Sequence, residues 1–236
     1  MCGRYATSRS AGDLSALFES SDETDGGVGP DFNVAPTDPV PFVRLSTEGH
    51  RALAVGRWGL VPHWSRSPAG AARMINARAE TVATSRAYAP SFARRRCLVP
   101  ADGWYEWVRE PGGRRQPYFM TPRDGSVLAL AGIWSAWESG DTALLTFSVL
   151  TTAAVGELAE VHDRMPLLLP RERWASWLDA AAAPAALLVP PPTEWLAGLE
   201  IRPVSPAVGD VRNDGPELTA RVTTTQREAG SDMTLF

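Results

Sequence analysis

Apolar residues recur along this chain at two spacings, one helical and one alternating. Near the start, AGDLSALFESS sets Leu14, Leu17 and Phe18 at helical intervals, which predicts a short amphipathic helix. The acidic stretch SDETDGGVGPD that follows reads as a flexible loop. PVPFVRLS and RALAVGRW then predict two strands joined by a turn around Thr47 to Gly49. RWGLVPHWSRSPAG, broken by Gly and Pro, reads as a loop carrying Trp58, His63 and Trp64. ARAETVATSRAYAPSFARR predicts a helical stretch interrupted near Pro90.

The middle of the chain is strand-rich. CLVPADGWYEWVRE and QPYFMT, separated by PGG, predict a hairpin with a long loop, and SVLALAGIWSAWE and TALLTFSVLTT are further apolar runs of strand length. Helices are expected at AVGELAEVH, RERWASWLDAA and TEWLAGLE, with IRPVS as a last strand. Trp134, Trp137, Trp174, Trp177 and Trp195 recur at strand or helix spacing and are assigned to the core, as is Cys97. No internal repeat or linker divides the chain. The expected fold is therefore α+β, a single domain with a curved, β-barrel-like sheet core and flanking helices over residues 1–222, followed by a loose polar tail at 223–236.

Composition narrows the function. The 236 residues are 44% hydrophobic, enough for one substantial core, and the most apolar segment, AAAAPAALLVPPP, is too short and proline-rich to span a bilayer. A soluble, cytoplasmic, monomeric protein with no membrane partner is expected. Two cysteines make no disulfide framework, and three histidines without CxxC or HxxxH spacing give no metal signature, so neither metal nor cofactor is expected. The net charge of −4 hides a basic third: Pro41 to Pro100 holds ten arginines against Glu48 and Glu80. Guanidinium groups grip phosphate in a bidentate fork, so this third suits a polyanion; intramolecular ion pairs are the competing explanation.

Candidate chemistry begins at MCGRY. Trimming of Met1 would leave Cys2 with a free α-amine and a thiol on one residue. Three polar residues sit in apolar surroundings elsewhere: Asn76 in MINARAET, Glu106 in ADGWYEW on the same strand face as Trp104, and His162 in EVHDRMPLLL. An amide, a carboxyl and an imidazole are the parts of an acid–base site. Taken singly, each has another explanation: Asn76 as a helix cap, Glu106 on a wet edge strand, His162 at a helix C-terminus.

In order along the chain, MCGRY, FNVAPT, RWGLVPHW, INARAET, ADGWYEW, HDRMP and VRNDGPEL resemble the SRAP (SOS response-associated peptidase) family, abasic-site processing proteins that crosslink themselves to DNA. The resemblance runs from Met1 to about Leu218. It implies a β-barrel-like fold, an active site of Cys2, Asn76, Glu106 and His162, and DNA-phosphate contacts from Arg4, Arg78 and Arg86, with Asn33 and Trp64 also on the DNA-binding surface. The implied partner is single-stranded DNA, or a junction of single and double strand, bearing an abasic site. Trp64, with His63 and Trp58, would stack on bases or wedge strands apart. The implied product is a thiazolidine between Cys2 and the abasic aldehyde. Two other classes use the same residues differently: an N-terminal-nucleophile peptidase or amidase, acting even on Met1 alone, and a non-catalytic single-strand-binding module that needs neither Cys2 nor Glu106.

Overall fold

The computed structural model describes residues 2–182 and 184–223, and the tail expected from 223 onward lies, beyond Thr223, outside the described residues. The first half runs β1 (Tyr5–Thr7), α1 (Ala11–Phe18), β2 (Ser21–Glu23), β3 (Asp31–Val34), β4 (Pro39–Leu45), β5 (Arg51–Trp58), β6 (Asn76–Arg78), α2 (Ala89–Arg94) and β7 (Arg96–Ala101). The second runs β8 (Gly103–Arg109), β9 (Arg115–Pro122), β10 (Leu128–Ser139), β11 (Thr142–Ala153), α3 (Leu158–Val161), β12 (Arg164–Pro166), α4 (Trp174–Leu178), α5 (Thr193–Leu196) and β13 (Leu199–Pro203).

The strands form two sheets. One has the order β13-β9-β8-β1-β3; in the other, β11-β10-β7-β4-β5 closes on itself through a parallel β11–β5 pairing, so five strands make a barrel, with β12, β2 and β6 attached. Closure removes the free edges of those strands. The long hairpin β10–β11 supplies its spine, joined by a two-residue turn in which Gly140 takes φ +57°. Alternate strand residues feed two cores. Tyr5, Trp58, Trp104, Phe147 and Val149 pack with Cys2 between the sheets, while Leu53, Leu98, Ile133 and Leu150 pack under α1 and α4. Helix α1 follows the predicted pattern: Ser10 caps it by accepting from the Asp13 N–H at 3.1 Å, and Leu14 and Phe18 are buried, Phe18 stacked 4.5 Å from Trp174.

Three expectations change. The long helix over ARAETVATSRAYAPSFARR is absent: Asn76–Arg78 is a strand parallel to β11, turns follow, and only Ala89–Arg94 is helical. Ala-rich composition favoured a helix, but Ala77 is buried against the barrel and the ladder to β11 overrides propensity. Pro90 opens α2 instead of interrupting a helix, because a first-turn N–H has no intrahelical partner to lose. The acidic loop contains strand β2, parallel to β5. Of the tryptophans assigned to the core, Trp137, Trp174 and Trp177 are buried, but Trp195 is 36% exposed and Trp134 is half-buried, covered by the guanidinium groups of Arg44 and Arg95.

Gly103 opens β8 where two strands cross closely. A Cβ there would stand 2.3 Å from the Met120 carbonyl oxygen and 2.6 Å from the Phe119 ring. Gly103→Ala is expected to destabilise the protein by about 2 kcal/mol or more, read from the midpoint of denaturant unfolding.

Candidate active site

Residues near a chain terminus are normally loose, yet Cys2 is fully buried. Two contacts hold its neighbourhood. The Arg4 carbonyl accepts from the Tyr105 N–H at 2.9 Å, which continues the antiparallel β1–β8 ladder beyond Tyr5↔Trp104 and carries Gly3 toward Glu106. From the other sheet, Asn76 Nδ2 donates to the Cys2 carbonyl at 2.6 Å. Asn76 is itself fixed by its place opposite Val149 in the parallel β6–β11 pairing, by Trp58 Nε1 donating to the preceding Ile75 carbonyl at 2.9 Å, and by the Tyr88 hydroxyl donating to its own carbonyl at 3.0 Å. Its Oδ1 is buried and accepts no hydrogen bond among the described residues.

Glu106 comes from β8, an inner strand, so it is not on a wet edge; it is 3% exposed. Burial pushes its carboxyl up to about 7, with the amino-terminal positive charge pulling the other way and Asp163 adding to the rise. Its charge acts on Cys2 as well. Burial first, and then Glu106, push the Cys2 thiol well above the usual thiol range, so the sulfur rests as S–H and must lose a proton before it attacks. His162 follows α3, the helical turn that packs on β8. It is partly exposed, and burial together with the amino-terminal charge lowers its pKa. The Glu106 charge therefore acts on Cys2, Asn76 touches its carbonyl, and His162 follows the helical turn packed on the strand of Glu106.

The predicted DNA-binding residues divide. Arg78 and Arg86 are exposed, and Trp64 is 51% exposed with the Arg86 guanidinium 5.2 Å from its ring centre. Beside Trp64 lies a cavity of about 210 Å³ lined by Leu60, Pro62, Arg73, Met74 and Ala87. His63 is exposed, but Trp58 is fully buried and cannot stack on a base. Asn33 is a correction of another kind. Only 3% exposed, it accepts from Arg4 at 2.7 Å and donates to the Asp210 and Asn213 carbonyls at 3.0 and 2.7 Å, so its amide is spent inside the protein holding Arg4, itself half-buried, against the VRNDGPEL loop. No cluster of metal-ligating side chains occurs among the described residues.

Sequence reasoning missed Tyr88 and Asp163. Tyr88 lay inside the segment misread as helix. Asp163, whose Oδ1 is 2.8 Å from His162 Nδ1, was visible as a carboxylate next to the candidate imidazole in HDRMP.

The fold thus buries Cys2 beside an amide and a carboxyl. The sequence matches the family described as SOS response associated peptidase (SRAP) over residues 1–211, and the chain belongs to that family. It is 37% identical to the abasic site processing protein YedK of Escherichia coli (strain K12), covering 92% of this chain and 98% of that protein. It is 29% identical to the abasic site processing protein HMCES of Xenopus tropicalis, covering 97% of this chain and 80% of that one. A crystal structure of a Bacteroides thetaiotaomicron protein shares the fold, with a TM-score of 0.80 at 24% identity over 94% of this chain and all of that chain.

The raised Glu106 carboxyl has a consequence for stability. The folded protein holds that proton more tightly than the unfolded chain, whose ordinary value is 4.5, so the contribution is fully present below pH 4.5 and is lost as pH rises through about 7. Glu106→Gln removes this dependence. Relative to wild type, the variant is expected to gain on the order of 2 kcal/mol between pH 4.5 and pH 8, measured by denaturant unfolding at both values.

Proposed function

We propose that this protein recognises abasic sites in single-stranded DNA, or at junctions of single and double strand, and links itself to them covalently through Cys2 once Met1 is removed. The observation that carries the reading is the Cys2 backbone pinned by Asn76 beside the Glu106 carboxyl. The names of the relatives YedK and HMCES support the substrate.

An abasic deoxyribose opens to an aldehyde at C1′. The α-amine of Cys2, with a reference pKa of about 7.7–8.0 against about 10.4 for lysine, is far more available as a neutral nucleophile near pH 7. Its lone pair adds to C1′ to give a carbinolamine. Glu106, titrating near 7, gives its proton to the departing hydroxyl, which leaves as water and yields the Schiff base. The carboxylate so formed takes the proton of the Cys2 thiol. The sulfur then adds to C1′ and closes a five-membered thiazolidine. Amine and thiol share one residue, so the second attack is intramolecular. One water is lost overall, and nothing is oxidised or reduced. His162 supplies the proton that opens the sugar ring, and the free Asn76 Oδ1 accepts from the incoming amine or sugar hydroxyl.

Recognition is independent of base sequence. Arg78 and Arg86 meet backbone phosphates, with Arg4 held ready at the edge of the site by Asn33, and Trp64 offers a stacking face.

The test is incubation with an oligonucleotide carrying one abasic site, followed by a denaturing gel. Wild type gives a covalent band, Cys2→Ala none, and Cys2→Ser at most a labile one; protein retaining Met1 gives none. A Cys2→Ala protein that crosslinks as well as wild type would falsify the mechanism, and turnover of a peptide without DNA would favour a hydrolase. In the Cys2→Ala background, where only reversible binding is read, Arg86→Ala is expected to weaken affinity equally for all sequences and to reduce the slope of log affinity against log salt by about 1.

A further inference from the structure

Glu80 is a carboxylate set among cations. It lies two residues after Arg78, close enough to feel the Arg78 charge, and Arg164 of β12 grips it in a two-armed fork, Nη1 donating to Oε1 at 2.6 Å and Nη2 to Oε2 at 2.9 Å. That fork above all holds the Glu80 carboxyl below the usual carboxylate range, so Glu80 keeps its charge near neutral pH. A negative charge beside an arginine assigned to phosphate opposes the approach of DNA. What Glu80 does for the protein has therefore to be sought in the contact it makes.

The contact joins the two strands that carry candidate groups. β6, which begins with Asn76, and β12, which begins two residues after His162, are both laid against β11, and both reach Thr151: it stands opposite Arg78 in one pairing and opposite Pro166 in the other. The Thr151 carbonyl accepts from the Ala79 N–H at 2.8 Å and from Arg164 Nη2 at 2.7 Å. Arg164 thus runs from β12 past Thr151 to Glu80, just beyond the end of β6, and its side chain is only 15% exposed against 50% for Glu80. At the other end of the same residue, the Arg164 backbone N–H lies 2.9 Å from His162 Nδ1. β6 and β12 are three residues each, so few ladder bonds hold either one, and the fork adds a tie between them that their pairings to β11 do not supply.

We propose that Glu80 is a positioning residue: through the Arg164 fork it sets the start of β12, and His162 with it, relative to the strand that holds Asn76 against Cys2, and it does so while opposing DNA binding. This deepens the abasic-site reading and rests on it for what Asn76 and His162 do. Placement of reacting groups acts on the rate once DNA is bound, whereas the charge of Glu80 acts on binding itself. Removing that charge moves the two quantities in opposite directions, which a residue that only stabilises the fold would not do.

The experiment is single-turnover crosslinking of an abasic oligonucleotide by wild type, Glu80→Gln, Glu80→Asp and Arg164→Lys over a range of DNA concentrations, which gives each protein a limiting rate and a half-saturating concentration. Glu80→Gln is expected to lower the limiting rate about tenfold while half-saturation tightens about twofold. Arg164→Lys keeps the charge but has no fork, so its limiting rate should fall by a similar factor with half-saturation within about twofold of wild type. Glu80→Asp keeps the charge and both oxygens; it should return half-saturation to the wild-type value and recover most of the rate. In DNA-free protein, the side-chain amide resonance of Asn76 and the ring resonances of His162 should shift in Glu80→Gln. A Glu80→Gln protein with the wild-type limiting rate, or one whose rate and affinity fall together, overturns the proposal. Resonances that shift as expected, in a protein whose wild type forms no crosslink, leave the Glu80–Arg164 tie standing and remove the abasic-site reading instead.

Discussion

The hydrogen bond from Asn76 Nδ2 to the Cys2 carbonyl is the contact on which the site depends, because it fixes a part of the chain that would otherwise be free. Ordering a terminal residue costs roughly 1–2 kcal/mol of backbone entropy, about what one hydrogen bond returns. The balance is tipped by what stands behind the amide. Asn76 lies on a three-residue strand paired in parallel to β11, and β11 belongs to the closed barrel, so the donor is anchored to the most tightly connected part of the fold. Trp58 and Tyr88 fix the backbone on either side of that contact. Cys2 is thus held between two sheets, by β8 of one and β6 of the other.

Burial of Cys2 bears on any chemistry it could do. A thiol in water is partly ionised near neutral pH, but Cys2 is surrounded by Tyr5, Trp58 and Trp104 and faces a carboxylate, and both effects keep it protonated. On the crosslinking chemistry proposed above, the amine would then be the first nucleophile and the thiol the second, after a base has been generated beside it. The same dry surroundings that suppress the thiolate lift Glu106 toward neutrality, which suits the proposed role of giving a proton in one step and taking one in the next. A single desolvated pocket thus acts on both the thiol and the carboxyl.

The strands of this protein were legible because β4, β5, β8, β10 and β11 carry runs of apolar and β-branched residues bounded by Gly and Pro, and α1 because Leu14 and Phe18 fall on one face. The segment from Ala77 to Arg95 was not, since its alanines and arginines favour helix locally and nothing in the sequence reports that Ala77 pairs with Leu150 some seventy positions away. Asn76, Glu106 and His162 could be named in advance as polar groups in apolar settings and Cys2 from its place behind Met1, and the family resemblance joined the four. Convergence was a matter of topology: Asn76 reaches Cys2 only through a parallel pairing that local pattern does not encode. Asn33 was assigned to the DNA surface by the resemblance, and only the fold reveals that Arg4 and the Asp210–Asn213 loop have taken its carbonyl and its amide.

The arginine-rich third of the chain divides between internal contacts and the exposed surface. Arg96 is buried and donates to the carbonyls of Trp177, Phe92 and Asp179, tying α4 to the barrel; Arg44 pairs with Glu23, and Arg51 with Glu19. These charges are committed to the fold and add little to its outer field. Arg57, Arg66, Arg73, Arg78, Arg86 and Arg94 are exposed. Two of the six flank the site in chemically different ways: Arg78 ends the strand that carries Asn76, and Arg86 lies over Trp64. A guanidinium stacked on an indole already has its planar face covered, while its N–H edge stays open to a phosphate. On the proposed reading, Arg86 and Trp64 would act as one unit, with an edge for a phosphate and an aromatic face for a base.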